Sequence, residues 1–180
     1  TPSIPEAAEA LGDLIVRLRD QVCGDDAGAR AAFRVHLVAH SMGGLICRCL
    51  LQNPDVGVEA KGLVDRVFTY ATPHNGIEMA GLNVPRFLGL WDMNNFNRKV
   101  MAGYLALDSH DRVDDLGGGF DPNRFFCLIG TNHRDYDMSM ALKGSRLLAG
   151  EMSDGLVQIG NAAVHGAPRA FVHRAHSGPY

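Results

Sequence analysis

Apolar positions along the chain change spacing several times, and each change marks an element. Ser3-Ile4-Pro5-Glu6 has the form of a capping box with proline in the first turn. Leu11, Leu14, Ile15, Leu18 and Val22 follow as one stripe of an amphipathic helix ending near Gly24. Residues 24–32 then read as a linker of small residues. Residues 33–39 are mostly apolar and, past Arg34, without polar alternation beyond His36, which predicts a strand covered on both faces. The helical period returns at Met42, Leu45, Ile46, Cys49 and Leu50, and it stops by Asn53-Pro54. Val64 to Ala71, Phe125 to Gly130 and Arg169 to Arg174 predict further strands, and residues 138–149 a further helix. Residues 77–123 hold neither period: Phe87, Leu88, Leu90, Trp91, Met93 and Phe96 stand among Asn, Gly and Pro, over a length too great for a plain connection.

Composition narrows the class. With 180 residues, 46% hydrophobic and 21% charged, the chain is expected to be one soluble globular domain with its own core. A net charge of -3 without any charged run argues against a nucleic-acid surface or a charged tail. Its longest apolar runs are too short to cross a bilayer, and residues 1–22 lack the form of a signal peptide. Cys23, Cys47, Cys49 and Cys127 have no metal-finger spacing and read as free thiols used as small core hydrophobes. That usage leans towards a reducing, cytoplasmic compartment. Secretion stays open because the chain begins at Thr1.

Candidate chemistry centres on residues 35–45, where the apolar strand stops at Ser41 between small residues and a helix begins. Leaving a strand for a helix within about one residue requires a strained conformation, which projects the serine into the open. Ala39 and Gly43 are small because larger substituents would collide across the bend, and Gly44 lets the helix approach the sheet. The helix start directs backbone N–H groups, Met42 first, at any negative oxygen forming beside Ser41.

The stretch resembles the nucleophile elbow of the α/β-hydrolase fold, in an Ala-first form, and the family resembled is that of lipase- and carboxylesterase-like serine hydrolases. Thr72-Pro73-His74-Asn75-Gly76 is similar to the turn that follows the next strand in lipase-like members, with His74 bracing the site. The resemblance implies a mostly parallel sheet with helices on both faces and a triad in the order Ser, acid, His. For the acid, Asp154 in Ser153-Asp154-Gly155-Leu156-Val157 is favoured over Asp137 and Asp135, which directly follow a strand. For the base, His176 in the loop past the last strand is favoured; His173 would lie inside that strand and His165 before it.

Met42 N–H would bind the oxyanion, His40 would flank the elbow, and residues 77–123 would form a cap or lid whose Phe87, Leu88 and Trp91 line the substrate pocket. The bland alternative is that these aromatics pack on the body as a satellite cluster. No metal or cofactor is called for, and His133-Arg134-Asp135-Tyr136-Asp137 is a poor metal site because a loop does not hold its side chains on one face. The expected partner is a small-molecule ester or lipid; nothing fixes the oligomeric state. The family's upstream strands, and the loop supplying a second oxyanion donor, have no counterpart here. Residues 1–180 are therefore expected to be the C-terminal portion of one hydrolase domain, with Val35 to Ala39 left as an unpaired apolar edge. A silent binding module of the same fold, or an acyltransferase or amidase using the same triad, are the competing readings.

Overall fold

A computed structural model describes residues 2–79, 82–83, 93–132 and 157–174. Helix α1 (Ile4–Cys23) starts at the expected capping box, with the Ser3 side chain on the Glu6 N–H and the Glu6 carboxylate on the Ser3 N–H at 2.7 Å. It ends at Gly24. The face it buries differs from the expected stripe: Ile4, Ala8, Gly12 and Ile15 are inside, while Leu14, Leu18 and Val22 are exposed. Close approach decides this. A Cβ on Gly12 would stand 3.0 Å from the Gly57 Cα and 3.2 Å from a Leu50 methyl, so the small residues take the contact and the larger leucines turn outward. Residues 24–32 are not a plain linker, because Asp26 accepts from the Gly28 and Ala29 N–H groups and caps a short helix α2 (Ala27–Ala32).

Strand β1 (Val35–His40) leads through Ser41 into helix α3 (Met42–Gln52), which closes at Asn53 as expected. Strand β2 (Val64–Tyr70) follows, then a two-residue hairpin of β3 (Glu78–Met79) and β4 (Leu82–Asn83). Helix α4 (Arg98–Tyr104), capped by Asn97, precedes strand β5 (Phe125–Gly130), and β6 (Arg169–Val172) is the last strand.

The main sheet has the order β1-β2-β5-β6 and every pairing in it is parallel. Parallel pairing puts all four carboxyl ends on one edge: His40 is level with Tyr70, Tyr70 with Leu128, and Gly130 with Val172. Ligands of open α/β sheets collect at such an edge. Helix α3 packs on β1 and β2, and α1 packs on α3.

Among the described residues β1 pairs with β2 alone. It alternates half-buried and exposed positions, leaving Val38 72% exposed, so among the described residues it is the outermost strand of the sheet and is not covered on both faces. Phe96, Met101, Tyr104, Leu105, Val113 and Leu116 join the same core as Leu45, Leu50, Val67 and Phe125, so residues 96–116 contribute to the body. Cys47, Cys49 and Cys127 are buried free thiols, and Cys23 is half-buried.

Candidate active site

Ser41 has φ 51° and ψ -126°, a region non-glycine residues seldom occupy. Its N–H donates to the Tyr70 carbonyl at 2.8 Å, and its carbonyl accepts from the Gly44 N–H at 3.1 Å and from the Thr72 hydroxyl at 2.8 Å. Three hydrogen bonds thus hold one strained residue. Although Ser41 stands at the N-cap position, its side chain makes no capping bond, so the hydroxyl is not spent on its own helix. The close approach expected at Gly44 holds, since a Cβ there would stand 2.3 Å from the Thr72 hydroxyl oxygen, whereas one on Gly43 would meet the Ala39 Cβ at 3.6 Å, an ordinary contact distance. Met42 opens α3 with its N–H in the first turn, and its sulfur lies 3.9 Å from the Asn95 amide nitrogen. His40 is exposed beside the elbow.

Beneath the elbow lies a polar cluster that sequence reasoning did not find. Arg48, in the second turn of α3, is fully buried. It donates to Gln52 at 2.8 Å, to the His74 carbonyl at 2.8 Å, and to the Val113 and Asp115 carbonyls at 2.7 Å each. Desolvation lowers its pKa to about 10, so it stays charged at neutral pH. His74 is also fully buried, with Nε2 3.0 Å from the Thr69 hydroxyl and its ring edge against Phe125. Desolvation, aided by the Arg48 charge, pushes its pKa well below 6.5, so the ring is neutral. Asn75 carries the network across: its N–H and its amide donate to Asn161 at 2.9 and 3.1 Å, and its side-chain oxygen accepts from the Val113 N–H at 2.9 Å. The nucleophile helix, the turn after β2 and the segment before β6 are thereby tied together. The one sequence signal for this cluster was an arginine inside an otherwise apolar helical run.

Asp154, Asp135, Asp137, His176, Phe87, Leu88 and Trp91, and the helix expected over 138–149, lie outside the described residues. Val157, expected to anchor the Asp154 turn, is buried. His173 requires a correction: β6 stops at Val172, so His173 is exposed just past the strand and not within it. His165 is exposed before β6, its N–H on the Asp114 carbonyl at 2.9 Å. Asp114 itself is pushed up by burial and pulled down further by the Arg112 guanidinium, ending below the usual range. No group of side chains suited to a metal occurs among the described residues. No helix among them is long and apolar enough to cross a membrane.

The family model described as a PGAP1-like alpha/beta domain matches residues 3–87, from the capping box of α1 to the stretch after the Thr72-Pro73 turn. No curated protein matches this chain. Among solved structures, the mature form of the Bacillus licheniformis lipase BlEst2 superposes with a TM-score of 0.60 at 19% identity, over 97% of this chain and 68% of that one. Its propeptide form gives 0.57 at 16% identity, over 97% of this chain and 37% of that one. At such identities the likeness concerns the fold, which is that of the α/β hydrolases.

Proposed function

From the α/β-hydrolase fold as premise, we propose that this chain carries the nucleophile of a serine ester hydrolase, lipase- or carboxylesterase-like in its chemistry. The observation that supports it most is Ser41 itself, held at φ 51° where a parallel strand meets a helix, with its hydroxyl free of capping. In the proposed reaction the Ser41 oxygen attacks an ester carbonyl while His176 takes its proton and Asp154 steadies the imidazole. The carbonyl oxygen becomes an oxyanion received by the Met42 N–H. Collapse breaks the bond to the alcohol, which leaves with the proton from His176. Water, deprotonated by the same histidine, then releases the acid and restores Ser41. No cofactor enters this reaction. Phe87, Leu88 and Trp91 in the lid-like stretch, with His40 at the elbow, are assigned to the acyl side of the substrate.

Strand geometry favours His176 over His173. Three strand spacings separate β1 from β6, which is roughly 14 Å at the usual distance between neighbours. His173, one residue past β6, must cross that gap with little more than its side chain. His176 has four residues beyond Val172 to spend, an extended reach of about 13 Å. Hydrolysis of short- and medium-chain esters, measured for the His176→Ala and His173→Ala variants, tests the assignment. His176→Ala should lose at least about a thousandfold in kcat, as removal of a triad member does, and His173→Ala should stay within a few fold of wild type. The reverse order would transfer the role to His173.

A further inference from the structure

The geometry points to Thr72 as a positioning residue that sets the strength and aim of the oxyanion donor through the Ser41–Met42 peptide. This deepens the ester-hydrolase reading and rests on it. A peptide group is planar, with its C=O and N–H pointing in opposite directions. Whatever fixes the Ser41 carbonyl therefore fixes the Met42 N–H on the other end of the same plate. Two donors fix it: the Gly44 N–H at 3.1 Å from within α3, and the Thr72 hydroxyl at 2.8 Å, which is the side-chain donor and comes from the neighbouring strand's end.

Two features make the contact specific. First, Thr72 is 1% exposed and its side chain fills the space that a side chain at Gly44 would need, since a Cβ there would meet its Oγ1 at 2.3 Å and its Cγ2 at 2.7 Å. The absence of a side chain on the first turn of α3 is what lets the hydroxyl reach the carbonyl. Second, the residue before Thr72 shares the positive φ of the nucleophile: Ala71 has φ 50° beside φ 51° at Ser41, and its N–H is held by the Leu128 carbonyl at 3.2 Å. Both strands thus end in a positive-φ bend, and the second bend delivers the hydroxyl that helps secure the first. A bond donated to a carbonyl also polarises its amide, strengthening the N–H at the far end by some 10–30% per bond. Thr72 therefore acts on the transition state, where the oxyanion exists, and not on bound ester.

The test compares Thr72→Val, which keeps the shape and removes the hydroxyl, with Thr72→Ser, which keeps the hydroxyl and removes a methyl. With a soluble p-nitrophenyl ester, Thr72→Val should lose about tenfold in kcat at nearly constant KM, a fraction of the hundredfold or more that follows outright loss of an oxyanion donor. Thr72→Ser should recover to within about threefold of wild type. Reaction of Ser41 with a fluorophosphonate should slow in the same ratio as kcat. If valine prevents folding, Thr72→Ala removes the hydroxyl without crowding Gly44 and repeats the comparison. A wild-type protein that reacts at Ser41 while the valine and alanine variants match it in kcat would overturn the role of Thr72 alone. A rise in KM at constant kcat would do the same. Absence of reaction at Ser41 in the wild type would overturn the hydrolase reading with it.

Discussion

At the scale of single residues, the site is supported by groups that carry charge or polarity into the core. His74 makes folding pH-dependent in a definite direction. In the unfolded chain it takes up a proton near pH 6.5, whereas burial keeps it neutral in the fold. Below that pH the unfolded state therefore binds more protons, and stability is lost as pH falls, by up to ~1.4 kcal/mol per unit. Denaturant unfolding at pH 7 and pH 5 should show this fall, and the fall should shrink in His74→Gln; equal slopes in both proteins would exclude His74 as its source. Arg48 spends its donors on Gln52 and on three backbone carbonyls. Lysine, a point charge on a flexible stem, cannot reproduce that fork. Arg48→Lys is expected to cost about 1–3 kcal/mol for each buried carbonyl left without a donor, and a loss under about 1 kcal/mol in total would show that the carbonyls find other donors. Ser41 was legible from its neighbours, because small residues two before and two after a serine leave a steric trace. Arg48 and the buried state of His74 were not. Apart from Gln52, four residues on, their partners are backbone carbonyls and a threonine, groups that carry no spacing signature.

Among the elements, capping signals proved more readable than faces. Ser3, Glu6 and Gly24 mark the α1 boundaries, and Asp26 marks the start of α2 inside a run of small residues that otherwise reads as linker. Hydrophobic size alone does not pick the buried face of α1, because Gly12 and Ala8 set the closest approach. Gly12→Val should therefore cost about 1–3 kcal/mol by overpacking against Gly57 and Leu50. A thermal midpoint equal to wild type would show that α1 can shift away freely. Similarly, an apolar run predicts burial but not what provides it. Val38 is 72% exposed in β1, so Val38→Lys should change stability by no more than about 0.5 kcal/mol while lowering self-association along the strand edge. A loss above about 2 kcal/mol, measured on the full polypeptide, would mean that another part of the protein covers this position.

Across the whole molecule, parallel strand order is what gives the local features a common purpose. Because β1, β2, β5 and β6 end on one edge, the Ser41 elbow, the Thr72 bend, and the chain beyond Gly130 and Val172 open onto the same side of the sheet. The buried Arg48, His74, Asn75 and Asn161 contacts run beneath that edge and tie its parts together. The proposal that Ser41 is a nucleophile is tested most directly by intact-mass analysis after exposure to a fluorophosphonate. One adduct per chain, mapped by peptide sequencing to Ser41 and absent from Ser41→Ala, is the expected result. An unmodified, folded wild-type protein, or an adduct that persists in Ser41→Ala, would contradict it.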